Sequence, residues 1–279
     1  MKNILKIMLM MITIFTIAGS AVYAAEIPVS DQDQLITSSD WTEISNLQDE
    51  MKKEEPDATI DYDKALKVYV DCNLIKLQTA DTKKLTSALE SANYVWVIPF
   101  KMEKTYGMFT VAKGLPLREE AKSVLTKAEQ EEVKNHAGKW MITEIAEHTV
   151  EPYYDILLEK REALSDCTRV VLVGSQPGMR QPVALGMDDE TARIWISLGY
   201  QYPVMEKIPE TQNVESGVYS FESVAEISDT YIEDSEVSTG VGVQSRSSMK
   251  YVAGIGIIVI GSILIFSVLK KKKLEQSGE

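Results

Sequence analysis

Residues 94–114 read YVWVIPFKMEKTYGMFTVAKG and carry the strongest fold signal in the chain. The runs YVWVIPF and YGMFTVAKG are rich in β-branched and aromatic residues, and the KMEKT segment between them is polar. Two such runs on either side of a short polar segment predict an antiparallel hairpin. Because Pro99 has no backbone N–H, we expect it at an edge or a bulge of the sheet.

Elements on both sides of this hairpin alternate between strand and helix periodicity. Leu66, Val68, Val70 and Cys72 share one face of a preceding strand. The remaining predictions are helices over 83–93, 116–135 and 153–164, a strand over 139–150, and a three-strand antiparallel meander over 169–174, 182–187 and 192–198. Within 116–135, Thr126 and Glu129 form a capping box, and Gly138 suits the helix end. This order predicts an extracytoplasmic α+β domain over 61–203, with antiparallel sheet or sheets and helices on one face.

Two acidic regions flank the predicted domain. Residues 25–60 form an acidic N-terminal segment with one short helix, which Asp40 and Glu43 would begin as a capping box. The sequence leaves open whether this helix docks or stands free. Residues 204–250, with nine acids and one lysine between Glu206 and Glu236, predict an acidic flexible stalk. Some strand is expected in it near 217–224, where GVYSFESV alternates.

The two chain ends predict the topology. Residues 251–269 contain no charged residue and cover about 28 Å as a helix, which is enough to span a bilayer. Lys270–Lys273 place the tail 270–279 in the cytoplasm. Residues 1–24 have a basic start and an apolar stretch, and VYA suits cleavage after Ala24, so a signal peptide is predicted, with an uncleaved second anchor as the alternative.

These features predict a single-pass type I protein of the cell membrane, with its ectodomain outside. The short lysine-rich tail and the lack of an N-x-S/T acceptor favour a bacterial source. The chain carries a net charge of −13, and the two ends, residues 1–24 and 250–279, contribute +2 and +3, so residues 25–249 carry −18. Because such a domain repels phosphate backbones, we expect no nucleic-acid partner.

Cys72 and Cys167 are the two cysteines, and both fall in the predicted ectodomain. An even number of cysteines outside the reducing cytoplasm favours a Cys72–Cys167 disulfide, provided that the adjoining strands are neighbours. The alternative is two buried thiols. Neither cysteine belongs to a C-x-x-C pair, which argues against redox catalysis and structural zinc.

Catalytic and metal-binding motifs are weak throughout, and we predict no catalytic residue, cofactor or metal site. Glu144 and His148 share a strand face and could form an acid–base or metal pair, but the favoured interpretation is that both are solvated side chains on the protein surface. The acidic groups 57–63 and 188–190 are interpreted as turns and caps rather than calcium sites. GSQPG at 174–178 is a turn, because a nucleophile elbow would need a helix after it.

Aromatic residues are the remaining candidates for function. Trp96, Trp140 and Trp195 all fall in predicted strands. Exposed, they would suit carbohydrate or peptide recognition; buried, they are core, which is the favoured interpretation. The expected function is binding of a protein, an envelope polymer or a small ligand at the cell surface. An extracellular hydrolase and an accessory subunit of an envelope complex are the alternatives.

Overall fold

A computed structural model describes residues 27–148, 152–174, 176, 182–198, 213–215 and 217–231. No helix within these ranges has the length and apolar character needed to cross a membrane. The predicted signal peptide with its Ala24 cleavage site, the predicted span 251–269 and the predicted tail 270–279 lie outside the described residues.

The central feature is a ten-stranded, mostly antiparallel sheet, which confirms the predicted α+β class. Nine strands follow the spatial order β5-β4-β3-β2-β6-β7-β8-β10-β9, and β1 pairs with β3. The strands are β1 Thr59–Ile60, β2 Leu66–Val70, β3 Asn93–Lys101, β4 Tyr106–Lys113, β5 Trp140–His148, β6 Arg169–Val173, β7 Val183–Met187, β8 Ala192–Ser197, β9 Asn213–Glu215 and β10 Val218–Ser220.

Seven α-helices and several short 3₁₀ turns accompany the described strands. The helices are α1 Trp41–Ile44, α2 Gln48–Glu54, α3 Thr82–Glu90, α4 Glu119–Lys122, α5 Lys127–His136, α6 Tyr153–Glu159 and α7 Phe221–Tyr231. The 3₁₀ turns are Asp31–Asp33, Leu35–Thr37, Ser45–Leu47, Tyr62–Lys64 and Ile75–Leu77.

Helices cover both faces of the sheet, so the prediction of helices on one face is wrong. On β2, Tyr69 packs in the cluster formed with α3 and α7, whereas Val68 packs with α6. Helices α1 and α2 cover the same face as Tyr69 in the part of the sheet formed by β3, β4 and β5. We call the face of Tyr69 the front face and the face of Val68 the back face. Central strands such as β6 are therefore apolar on both sides, which is why RVVLV shows no alternation.

The predicted hairpin and meander are both present, and a parallel seam joins them. β3 pairs with β4 over 95–101, and β6, β7 and β8 form the antiparallel meander. Between the two groups, β2 and β6 run parallel, with Val68 opposite Leu172. A second chain segment enters the same seam, because Val29 bridges Val170 and Gln34 bridges Leu66. The acidic N-terminal segment is thus docked from residue 27 onward.

Local predictions hold where short-range chemistry decides them. The capping box of Thr126 and Glu129 begins α5, and Gly138 follows that helix with a φ of +76°. The prediction of an edge or bulge position for Pro99 is wrong: Pro99 lies in the internal strand β3, opposite Met108 of β4, where the other partner of β3 changes from β2 to β1. Its carbonyl accepts a hydrogen bond from the Asp61 N–H, so the missing N–H faces the turn between these two strands.

The predicted stalk contributes structure to the described fold. Its residues 213–231 form β9, β10 and α7, and Tyr219 and Phe221 are buried in the front-face core. The strand expected near 217–224 is confirmed for 218–220, but a helix begins at Phe221. Glu222 and Glu226 are exposed, while Tyr219 and Phe221 hold this stretch to the sheet.

The predicted Cys72–Cys167 disulfide is absent, and both cysteines are free thiols. Their strands are neighbours, as the prediction required, but the strands are parallel and the cysteines lie at opposite ends. Cys72 follows β2 and Cys167 precedes β6, so the β2–β6 register separates them by about 30 Å of extended chain. A disulfide needs Cα atoms within about 7 Å. Burial raises the pKa of each thiol to about 11, which makes both unreactive.

Gly107 provides a stability test of the hairpin, because the ring of Phe100 lies directly over it. A Cβ at position 107 would clash with the Phe100 ring, which itself packs at a tilt against Phe109 with the ring centroids 4.7 Å apart. We expect Gly107→Ala to lower the free energy of unfolding by about 1–3 kcal/mol, measured by urea denaturation. Gly174→Ala is the control, since its nearest contacts would be 3.5 Å away. Equal stability of the two variants would contradict this packing.

Candidate functional site

A buried carboxylate lies at the seam between β2 and β6. Asp33 ends the 3₁₀ turn Asp31–Asp33 and is only 2% exposed. Its Oδ2 accepts hydrogen bonds from Arg169 Nη2 at 2.9 Å and from the Ser30 hydroxyl at 2.7 Å. Its Oδ1 accepts one from the Tyr69 hydroxyl at 2.7 Å. A charge this deeply buried is tolerated only when it is paired and hydrogen-bonded, and Asp33 is both.

Lys67 supplies a second cation on the same side of the sheet. Its Nζ is 3.7 Å from Asp33 Oδ1, which is an ion pair without a close hydrogen bond. Three aromatic rings surround the ammonium group: its distance to the ring centroid is 4.5 Å for Tyr94, 5.2 Å for Trp96 and 5.8 Å for Tyr69. Cation–π attraction thus compensates part of the lost hydration of this side chain, which is 11% exposed.

The strand register brings these groups together. On β2, Lys67 and Tyr69 alternate with the back-face residues Leu66 and Val68 and therefore lie on the front face. Their cross-strand partners on β3 are Trp96 and Tyr94. Arg169 precedes Val170, a back-face residue, so it too points to the front face. Lys67 and Arg169 therefore approach the seam from its two sides, and Asp33 reaches them from the inserted N-terminal segment.

A cavity of about 220 Å³ opens beside these charges. Its walls are cationic at Lys67 and Arg169 and aromatic at Tyr69 and Tyr94. Gln32 and the end of α3, including Glu90, complete the lining. We call this space the Lys67 cavity.

The polar groups around the cavity differ in whether they have hydrogen-bond partners. Arg169 Nε is buried and has no hydrogen-bond partner among the residues that the structure describes. By contrast, the Tyr94 hydroxyl is occupied, because it donates to Asp40 Oδ2 at 2.9 Å, and Trp96 Nε1 donates to the same oxygen at 3.0 Å. Asp40 was predicted to cap a helix, but its side chain makes no capping bond and instead orients these two rings.

Burial governs the ionisation of the cavity groups. It lowers the pKa of Lys67, while the charges of Asp33 and then Asp40 act in the opposite direction. It raises the pKa of Tyr69, with further increases from the hydrogen bond to Asp33, and it raises the pKa of Tyr94 in the same way through Asp40. Both phenols are therefore neutral donors at physiological pH.

The sequence-predicted candidates have structural roles where they are described. Trp96, Trp140 and Trp195 lie in β3, β5 and β8 and are all buried, which confirms the core interpretation. Asp188 Oδ1 accepts hydrogen bonds from the backbone N–H groups of Glu190 and Thr191, so this acidic group is a turn. These bonds, with the one from Arg193, lower the pKa of Asp188 to about 2.

Glu144 and His148 both lie in β5. Their cross-strand neighbours on β4 are Thr110 and Tyr106. The hydroxyl of Thr110 donates to Glu144 Oε2 at 3.5 Å. Within the described ranges, no group of three or more His, Cys, Asp or Glu residues could hold a metal ion.

Sequence inspection missed Asp33, Lys67 and Arg169. One available signal was Arg169, a charge that opens the otherwise apolar strand RVVLV. Lys67 alternates with the apolar residues Leu66 and Val68, and the docking of α3 on its face leaves no mark in this local pattern. Asp33 carries no local signal, since its partners are 36 and 136 residues away in the sequence.

Removing the Asp33 charge tests the buried network. Asp33→Asn leaves Arg169 and Lys67 without their shared counter-charge, so we expect the free energy of unfolding to fall by about 3–5 kcal/mol. Asp31→Asn is the matched control, because Asp31 is exposed in the same 3₁₀ turn, and it should change stability by less than about 0.5 kcal/mol. Chemical denaturation of both variants measures the difference; a change below about 1 kcal/mol for Asp33→Asn would refute the network.

The burial of the Glu144 carboxyl group predicts a specific pH dependence of stability. Burial raises its pKa above the ordinary value of 4.5, with the Thr110 hydrogen bond acting weakly in the other direction. A raised carboxyl pKa stabilises the fold below pH 4.5, and this contribution is lost as the pH rises through the folded-state pKa. We therefore expect Glu144→Gln to be more stable than wild type at pH 7, with the difference shrinking toward pH 4.

Thermal unfolding at several pH values checks this expectation, and Glu147→Gln on the same strand is the exposed control. A difference between Glu144→Gln and wild type that does not vary with pH would contradict the burial of an ionised Glu144.

Comparisons of this chain with protein-family models, with curated proteins and with solved structures give no match. Its function is therefore inferred from the geometry of the Lys67 cavity and from the sequence.

Proposed function

We propose that the chain is a single-pass type I membrane protein whose extracytoplasmic domain binds a small ligand in the Lys67 cavity. The uncharged stretch 251–269, followed by Lys270–Lys273, supports a membrane-spanning helix with a cytoplasmic tail. The signal-like features of residues 1–24 support export of the part of the chain between them and the span. In this proposal, residues 232–250 connect the last helix of the domain, α7, to the span.

The observation that carries the binding role is a polar cavity inside an otherwise apolar front face. Lys67 and Arg169 are held there by one buried carboxylate, although well-packed apolar residues in place of such ion clusters are often no less stable. Stability alone therefore gives little reason to keep these charges. Concave sites with aromatic walls and a few convergent polar groups are typical of small-molecule binding.

Size limits the ligand. At about 30 Å³ per water molecule, 220 Å³ corresponds to roughly seven waters, which is below the usual range for drug-sized ligands. The cavity thus suits a small molecule, or one terminal group of an envelope polymer, rather than an extended polymer chain. No residue of the cavity is proposed to catalyse a reaction.

Blocking the cavity tests the binding role. The full chain, solubilised in a mild detergent, is screened for thermal stabilisation by small molecules of anionic, neutral and cationic character. A ligand at ten times its Kd should contribute about 1.4 kcal/mol, or roughly 3–6 °C in Tm. We expect Ala92→Phe, which places a ring in the cavity, to abolish this shift.

Ala128→Phe on the exposed surface of α5 is the control and should leave the shift unchanged. If stabilising ligands act equally on both variants, or if no compound of any charge stabilises the wild type, the cavity is not a binding site.

The topology has its own test. Protease added to intact cells should digest the domain and spare a C-terminal tag placed after residue 279. Digestion of the tag with survival of the domain would reverse the proposed orientation.

A further inference from the structure

We infer that the Lys67 cavity selects a small anion of the carboxylate class, bound between the Lys67 ammonium and the Arg169 guanidinium. The inference rests on the proposed function, because it specifies the ligand of that same cavity. Three features of the cavity support it: the charge balance, the unused donors and the shape of the walls.

The charge balance around the cavity favours an anion. Lys67 and Arg169 share one carboxylate, that of Asp33, so this cluster carries one excess positive charge. The Asp40 carboxylate keeps its charge, because the Tyr94 hydroxyl and the Trp96 N–H that donate to it are neutral, but among the described residues the ion pairs of Lys67 and Arg169 are with Asp33 and not with Asp40. Glu90 contributes a carboxylate to the lining from an exposed position, where water screens its charge. The inner end of the cavity is therefore cationic.

Unused donors point to the same chemistry. The Lys67 ammonium has three N–H donors, yet its nearest carboxylate oxygen is 3.7 Å away and the three rings around it accept only weakly. Arg169 Nε is likewise without an acceptor in the part of the chain that is described. A carboxylate can accept hydrogen bonds from an ammonium and a guanidinium at the same time, and such charge-assisted bonds are stronger than hydrogen bonds between neutral groups.

The walls favour a carboxylate that carries a flat or apolar group. Tyr69 and Tyr94 present aromatic surface beside the two cations, and Leu89 and Ala92 add apolar surface. A ligand such as an aromatic or short aliphatic acid would place its anionic group at Lys67 and Arg169 and its carbon skeleton against these side chains. Inorganic phosphate shares the anionic group but lacks the skeleton, so it should bind more weakly.

Charge-matched ligand pairs test this selectivity on the unaltered full chain. Benzoate and benzamide have nearly the same shape and differ in charge, and benzylammonium reverses the charge; acetate, succinate and inorganic phosphate extend the comparison. Binding is measured by isothermal titration and by Trp fluorescence, because Trp96 lies beside Lys67. We expect at least one of the carboxylates to bind, and its affinity to exceed that of its neutral amide by about tenfold or more.

Lys67→Met tests the role of the ammonium group, since it keeps an unbranched side chain and removes the charge. It should weaken carboxylate binding by about tenfold or more, with folding checked by circular dichroism. Lys101→Met is the matched control: Lys101 also lies over a tyrosine, 5.8 Å from the ring centroid of Tyr106, but it does not line the cavity. Its affinity should equal that of wild type.

Four outcomes would overturn the inference. If benzamide or benzylammonium binds as tightly as benzoate, or if Lys67→Met retains full affinity, the anion selectivity is wrong while a binding cavity stands. If phosphate binds more tightly than every carboxylate, the ligand class is wrong. If the screen with Ala92→Phe finds no ligand of any charge, the proposed function fails as well.

Discussion

The parallel contact between β2 and β6 is the constraint on which the rest of the structure depends. Val68 lies opposite Leu172, and this contact turns two antiparallel units, β1–β5 and β6–β10, into one sheet. Parallel neighbours need a long crossover, and here the connection contains three strands and several helices. The front-face and back-face cores both cross this seam, so neither unit would bury its apolar surface fully without the other.

The seam also explains why charge is present in the interior. Residues 29–34 bridge β6 on one side and β2 on the other, which brings Asp33 between Lys67 and Arg169. The carboxylate links the inserted segment to both halves of the sheet through groups that are distant in sequence. The same arrangement that closes the fold therefore leaves two cations, Lys67 and Arg169, beside the cavity with one carboxylate in ion-pair contact. Stability and binding thus have a common origin in this structure.

Local sequence predicted the elements far better than their arrangement. The 94–114 hairpin, the capping box at Thr126 and the 169–198 meander depend on residues close in the chain, and all three were predicted. The parallel seam depends on contacts between residues about 100 positions apart in the sequence, and the periodicity of a single strand carries no information about such contacts. The disulfide prediction failed for this reason: neighbouring strands were a sound premise, but their direction decided whether the cysteines could meet.

Asp40 and Lys67 illustrate the same limit at the level of single side chains. The spacing of Asp40 and Glu43 predicted a cap, whereas Asp40 bonds two rings that only the tertiary fold brings near. Lys67 alternates as a surface residue should, and only the packing of α3, with aromatic rings from β2 and β3, makes it part of a cavity. Residues that build sites through long-range contacts carry their signal in the fold rather than in the local pattern.

Amide hydrogen exchange across the seam tests the central claim most directly. In the full chain, residues 66–70 of β2 and 169–173 of β6 should exchange with the same free energy of opening, because separating either strand exposes both cores. Exchange in β6–β8 at a free energy well below that of β2–β4 would show two independent units, and it would contradict a single sheet closed at the seam.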